Sequence, residues 1–252
     1  MKKATSKIMI YIAQLLSTQA LFTPIKVLFL IHFLIQNEDI AFFKFLFILS
    51  SFIFELPSGY FSDKFGNKNA VLLSKAFTIL AIICNCIFTN FIGFALSNII
   101  LGLASAWSSG ANDSFFLIIC KTYNFDYSQI KIKVTKYSYI INFMLMTFSS
   151  ILYRVNIFLP FILTAVLFLI SAIIILILPK DNINSNENKK HNFRDSSKIV
   201  LSKILHNPQL ITQMLFTVIC TSLLISNFDF YTPIFQEAGV NVNLIGVIFA
   251  SF

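Results

Sequence analysis

Apolar runs of about 20 residues recur along this 252-residue chain, with short polar joints between them. Each run is long enough to cross a hydrocarbon layer of about 30 Å as an α-helix, which rises about 1.5 Å per residue. With 57% hydrophobic and 12% charged residues, the composition is that of a membrane protein rather than a soluble domain. The sequence therefore predicts an all-α, polytopic transmembrane helical bundle in the lipid bilayer.

The pattern predicts seven helices and the start of an eighth. They cover residues 8–34, 41–59, 70–89, 91–120, 137–153, 155–178 and 210–232, and the eighth begins near Asn243. A long polar segment rich in Asn, Lys and Ser separates the sixth helix from the seventh. We therefore expect a six-helix bundle at residues 1–178, a linker at 179–208 and the start of a second bundle at 209–252.

Positive charge is concentrated in alternate joints. Placing the N-terminus in the cytoplasm puts all of the 19 Lys and Arg residues on the cytoplasmic side except Lys26, Lys44 and Arg154. Lys75 is counted with the joint between the second and third helices. The positive-inside rule then predicts a multi-pass protein of the plasma (cell inner) membrane with a cytoplasmic N-terminus and linker. The net charge of +8 is a topology signal, and no nucleic-acid partner is predicted.

The most polar joint, ELPSGYFSDKFGNKNA at residues 55–70, connects the second and third predicted helices. Its residues resemble the signature G-x-x-x-D-[RK]-x-G-[RK]-[RK] of the major facilitator superfamily, which that family carries at this position. The matching residues are Gly59, Asp63, Lys64, Gly66 and Lys68. Asn67 stands where the family usually has Arg or Lys, and the antiporter motif of the fifth helix is not found. Residues 55–59 and 109–113 resemble stretches of the drug-efflux-like branch of that family.

Physical chemistry suggests how such a joint works. Gly59 would allow a neighbouring helix to approach closely, Gly66 can adopt a positive φ, and Asn69 can cap the third helix. The resemblance implies that Asp63 docks on a helix of the second half when the cytoplasmic side is closed, which makes the joint a gate. Glu55, expected about one turn from the cytoplasmic end, would join the gate's hydrogen-bond network. The alternative is a tight membrane turn whose charges only face water.

Ionisable residues inside the membrane are functional candidates, because a charge at mid-bilayer costs about 2.5 kcal/mol or more. Lys26 lies on the first predicted helix with Gln19 and Thr23 on nearly the same face, beside Pro24. This polar stripe either faces a central cavity, or Lys26 extends to the membrane surface.

Two rows of residues follow the fourth predicted helix. Ser105, Ser109 and Asp113 form a polar stripe at steps of four, and Gly102, Ala106 and Gly110 form a ridge suited to close packing. Asp113 could carry a coupling proton, bind a cationic substrate, or lie at the cytoplasmic mouth. Substrate or proton candidates are therefore Gln19, Thr23, Lys26, Ser105, Ser109 and Asp113.

The resemblance implies a secondary active transporter that moves a small molecule by alternating access, with a coupling proton or ion. Efflux of amphipathic compounds is the narrower expectation, because thirty phenylalanines and few buried charges suit apolar recognition. No catalytic constellation, phosphate loop, metal site or cofactor site is predicted, so an enzyme is not expected.

The resemblance also implies four or five further helices. We therefore expect a truncated chain, inactive without the missing C-terminal half or another chain. The alternative is a half-size membrane interaction or scaffold protein that acts as a homo- or hetero-oligomer.

Overall fold

The computed structural model describes residues 3–17 and 21–179, and beyond these residues 207–209, 211–213, 216, 231, 234–235, 238–240, 244 and 247–248. The described elements are α1 (Lys3–Ser17), a 3-10 turn (Thr23–Ile25), α2 (Lys26–His32), α3 (Asn37–Phe65), α4 (Asn67–Ile87), α5 (Phe91–Ser108), α6 (Ala111–Thr122), α7 (Tyr127–Val155) and α8 (Leu159–Ile177). The predicted all-α helical bundle is confirmed. Most of the linker and of the seventh and eighth predicted helices lies outside the described residues, so the division of the chain into domains stays a prediction.

Within the described residues, four helical segments are long and apolar enough to cross a membrane. They are Glu38–Phe65, Asn67–Ile87, Phe91–Thr122 and Leu159–Ile177. The fifth predicted span corresponds to α7, which begins ten residues earlier than expected. Its first turns are rich in Lys and Tyr and are capped by Asp126, whose carboxylate accepts hydrogen bonds from the N–H groups of Ser128 and Gln129 at 2.9 and 3.3 Å. Because these turns are polar, the pattern of apolar runs does not predict them.

The second predicted helix does not end at Gly59. Instead, α3 runs through Pro57 and Gly59 to Phe65, because an internal proline removes only one helical hydrogen bond and glycine weakens a helix without ending it. Gly66 ends α3 with φ +95°, and α4 begins at the next residue. The expected long joint is therefore a link of one residue.

The first and fourth predicted helices are each interrupted. In the first, the 3-10 turn Thr23–Ile25 separates α1 from α2 and contains Pro24, which has no N–H to donate. In the fourth, α5 ends at Ser108 and α6 begins at Ala111, with Gly110 at φ +68°. Interrupted spans matter because they free backbone groups inside a membrane protein.

Small residues let α5 pack closely along α3 and α4. A Cβ on Gly102 would lie only 2.5 Å from the carbonyl oxygen of Phe47 on α3, so only glycine fits there. The predicted packing ridge is confirmed at Gly102 and at the buried Ala106, whereas Gly110 is exposed and breaks the helix. Serine hydroxyls add ties between these helices: Ser58 donates to the carbonyl of Ala106 at 2.9 Å and Ser74 to that of Ala104 at 2.8 Å.

Two apolar clusters fill opposite ends of the bundle. The first lies where α3 meets α4 and α6 meets α7, which we call the joint end; it contains Ile10, Val71, Phe115, Phe116, Ile119, Ile130, Ile175 and Leu178. The second, at the far end, contains Leu28, Phe29, Ile40, Phe43, Ile82, Phe94 and Phe161. The two interruptions lie towards opposite ends of the bundle: Ile25 of the first belongs to the far-end cluster, and Ala111, next to Gly110, belongs to the joint-end cluster.

Candidate functional site

The α3–α4 joint is closed by three short hydrogen bonds. The N–H of Gly66 donates to the carbonyl of Ser62 at 2.9 Å, and the Ser62 hydroxyl donates to Oδ1 of Asn67 at 2.7 Å. Asn69 was expected to cap α4, but α4 begins two residues earlier, and Nδ2 of Asn69 donates instead to the carbonyl of Phe65 at 2.8 Å. Asn67, which departs from the family signature, thus bridges the turn with a neutral amide.

Glu55, Gly59 and Asp63 follow one another at steps of four along α3 and are all exposed. A Cβ on Gly59 would meet no atom within 4 Å among the described residues, so no helix of the described bundle packs on Gly59, and the close approach of a neighbouring helix stays a prediction. Lys64 is exposed as well, with its Nζ 5.3 Å from the centroid of the Phe65 ring. This face of α3 is left uncovered by the part of the bundle that the structure describes.

Glu55 lies deeper along its helix than the sequence suggested. Because α3 continues to Phe65, Glu55 is ten residues, or about 15 Å, from the end of the helix rather than one turn. Its backbone carbonyl accepts a hydrogen bond from the Ser58 hydroxyl at 2.8 Å. No described residue donates to its carboxylate, which is exposed on the α3 face.

Lys68 differs from Asp63 and Lys64, the other charged residues of the signature, because it is buried. Its Nζ donates to the carbonyl of Leu176 at 2.9 Å and also to that of Leu178, where α8 ends. The last carbonyls of a helix have no intrahelical partner and carry partial negative charge, so a lysine satisfies them well. Lys68 therefore ties the beginning of α4 to the end of α8.

Lys26 is half-buried and directed towards α5. Its Nζ donates to Oδ1 of the buried Asn98 at 3.0 Å, and Nδ2 of Asn98 donates to the carbonyl of Phe94 at 2.8 Å. Lys26 and Lys44 line the same small crevice between α2 and α3. Thr23 is exposed in the 3-10 turn, and Gln19 lies outside the described residues, so no continuous helix carries the predicted stripe.

The second predicted stripe is also divided. Ser105 is half-buried at the end of α5, Ser109 is exposed in the break, and Asp113 is exposed on α6, so the change of direction at Gly110 separates them. Asp113 pairs with Lys131 and accepts a hydrogen bond from the hydroxyl of Tyr127 at 2.9 Å. It thus connects α6 to the start of α7 near the joint end.

Sequence reasoning missed Lys75 as a candidate. It was grouped with the basic joint, but the side chain is only 4% exposed and lies within α4, with Nζ 4.8 Å from the centroid of the Phe168 ring. The available signal was its spacing of seven from Lys68, which places both lysines on one face of a helix.

Comparison with known proteins gives one informative match. No protein-family model matches the chain. In an alignment of 243 residues that covers 91% of the chain, it is 27% identical to "Uncharacterized MFS-type transporter YxaM" of Bacillus subtilis (strain 168). The chain spans 58% of the length of that relative. Together with the apolar helices, this similarity to an MFS-type transporter supports an integral, multi-pass membrane protein.

Proposed function

We propose that this chain forms part of a secondary active transporter that moves a small molecule across the plasma membrane by alternating access. The homology over 91% of the chain supports the general class. The observation that carries the proposal is the uncovered face of α3 beside a one-residue joint, because such a face is available to a helix of another bundle.

In the gate, Glu55 and some of the signature residues would contact a second helix, and the others would hold the joint to its own bundle. Glu55, Gly59 and Asp63 present two carboxylates with a glycine between them, and the glycine leaves room for a second helix to come close. A carboxylate at a helix N-terminus stabilises by about 0.3 to 2 kcal/mol, which is small enough to break in each cycle. Lys68 and Gly66 would keep the joint fixed to its own bundle, so that the whole bundle moves with the gate.

The joint end would face the cytoplasm. Lys7 lies over the ring of Phe125 at 5.7 Å, so the N-terminal helix brings its charge to the same end as Lys64, Lys68 and Lys131. Clustering of lysines at one end supports the N-in orientation through the positive-inside rule.

Transport would use the two interrupted spans, one towards each end of the bundle. Broken helices often surround the substrate site of secondary transporters, because their freed backbone groups can bind solutes or ions. The candidates there are Lys26 and Thr23 beside the first break, with Gln19 preceding it, and Ser105, Ser109 and Asp113 around the second. Opening of the Asp113–Lys131 pair would let Asp113 carry a coupling proton.

Efflux of amphipathic compounds is the narrower form of the proposal. Several phenylalanines are exposed in the described residues, among them Phe42, Phe45 and Phe52, so the bundle offers aromatic surface. Such surface binds apolar bodies by area rather than by directed hydrogen bonds.

The test is Asp63→Asn in the whole protein, assayed in vesicles with anionic, cationic and neutral fluorescent dyes. We expect normal insertion and at least a tenfold loss of transport, whereas the same change at Asp39, at the other end of α3, leaves transport within about twofold. Wild-type transport by Asp63→Asn would remove the gate role. Failure to move any dye, together with a saturable stoichiometric dimer on crosslinking, would favour the interaction or scaffold protein.

A further inference from the structure

Lys75 and Phe168 place a positive charge and an aromatic ring together near the middle of the bundle. Lys75 is the ninth residue of the 21-residue α4, and Phe168 is the tenth of the 19-residue α8. At about 1.5 Å per residue, Lys75 lies about 12 Å from the beginning of α4 and about 18 Å from its end. Both helices are long enough to span the membrane, so the ammonium group lies far from either surface.

No opposite charge compensates this lysine among the described residues. The only buried charged side chains in that part of the chain are Lys68 and Lys75, and Lys68 is satisfied by the end of α8. Nζ of Lys75 lies 4.8 Å from the centroid of the Phe168 ring. A ring face attracts a cation but replaces only part of the hydration that burial removes.

The pair also lies beside the interrupted first span. Thr164 and Ser171 flank Phe168 by about one turn on either side of α8. Thr164 accepts a hydrogen bond from the N–H of Leu21 at 3.2 Å, and Ser171 donates to the carbonyl of Ala13 at 3.1 Å. The Phe168 level of α8 is therefore where the first span attaches, between Ala13 and Leu21 and before the 3-10 turn that breaks the span.

We infer that Lys75 and Phe168 form a binding site for the anionic group of an amphipathic organic anion, such as an aromatic carboxylate or sulfonate. Lys75 supplies the counter-charge, and the aromatic ring contacts the apolar body of the solute. The half-buried Lys26 and Lys44, which line one crevice, add a positive electrostatic field that also favours an anion in this bundle. This inference rests on the proposed transporter function and names its substrate class.

The anion would be a solute rather than a lipid headgroup. The phosphates of lipids lie at the membrane surface, about 15 Å from the middle of a hydrocarbon layer about 30 Å thick. The binding experiment therefore uses a neutral detergent and, as a separate arm, anionic phosphatidylglycerol added to the micelles.

The test measures binding of 2-naphthoate, naphthalene-2-sulfonate and octanoate to the purified whole protein by calorimetry, with 2-naphthol and naphthyl-trimethylammonium as neutral and cationic matches. We expect at least one anion to bind wild type and to bind Lys75→Met at least tenfold more weakly. Lys75→Arg should retain binding within about fivefold, since it keeps the charge. Lys133→Met, which removes an exposed lysine outside the signature, should bind as wild type.

Several outcomes would overturn the inference. They are equal binding by wild type and Lys75→Met, equal binding of the cationic match, displacement of the anion by phosphatidylglycerol alone, or absence of binding by all three anions. Transport of cationic dyes only would also refute it while leaving the transporter proposal intact. Absence of all transport with Lys75-dependent anion binding would refute the transporter and retain the site.

Discussion

Lys68 and Lys75 lie two turns apart on one face of α4, are both buried and both reach α8, yet they meet different surroundings. Lys68 meets the end of α8, where the last carbonyls have no intrahelical partner. Lys75 meets the middle of α8, where the carbonyls are already used in the helix and only a ring is available. The same residue type is thus a structural tie at a helix end and an uncompensated charge at a helix middle.

Lys68→Met should give the largest change in stability. It leaves the carbonyls of Leu176 and Leu178 without their donor, and a hydrogen bond to a charged group contributes about 1.5 to 3 kcal/mol. We expect about 3 kcal/mol of destabilisation, measured as a lower thermal midpoint in detergent. Lys64→Met is the matched control on the exposed side of the joint. A Lys68→Met protein as stable as wild type would show that water or other groups replace the tie.

Lys75→Met should change the stability in the opposite direction to Lys68→Met. Replacing buried ion pairs by apolar side chains of similar volume is often neutral or stabilising, by about 1 to 4 kcal/mol, and an uncompensated charge has no ion-pair attraction to lose. We expect a thermal midpoint equal to or above that of wild type, although anion binding is lost. A clear fall in the midpoint would mean that Lys75, like Lys68, is satisfied within the fold, and the contrast between the two lysines would disappear.

Phe168→Leu should have a smaller effect on stability, and it tests whether the ring contact distinguishes Lys75 from Lys68. The cation–π contact contributes about 0.5 to 2 kcal/mol, and leucine keeps most of the apolar volume. In a double-mutant cycle with Lys75→Met, we expect a coupling free energy of about 1 kcal/mol. The matched cycle of Phe168→Leu with Lys68→Met should show coupling near zero, because Lys68 binds carbonyls eight and ten residues beyond Phe168 on α8. Equal coupling in the two cycles would contradict a ring contact specific to Lys75.

The smallest effect is expected at the exposed pair of Asp113 and Lys131. Their side chains are 58% and 49% exposed, and such surface pairs contribute about 0 to 1 kcal/mol. We expect Lys131→Met to shift the free energy of unfolding by about 0.5 kcal/mol and to lose most of that shift at 1 M salt. A shift as large as that of Lys68→Met would mean that exposure does not separate these lysines as proposed.

The sequence predicted what depends on local pattern. Apolar runs located the four described segments long enough to cross a membrane, which correspond to the second, third, fourth and sixth predicted spans. Gly66 was correctly identified as the residue that reverses the chain at positive φ. The length of the joint was wrong, because Pro57 and Gly59 look like helix breakers although a helix tolerates one of each. The break at Gly110 was missed because a glycine in an apolar run is equally compatible with close packing, which is what Gly102 does.

The candidate site was harder to predict because it depends on contacts between distant segments. Lys26 could face the membrane surface or the interior until Asn98, 72 residues away, was found beside it. Lys75 was grouped with the joint because its distance from the signature is short in sequence. Its burial comes from α8 lying alongside α4, and a single sequence gives no sign of that pairing.

The one-residue link at Gly66 also bears on biogenesis. A connection this short holds the ends of α3 and α4 together, so neither helix can settle in the lipid while its neighbour remains far away in water. The two helices should therefore enter the bilayer as a single hairpin, and lengthening the link with inserted residues would let the ribosome-bound chain insert them one at a time.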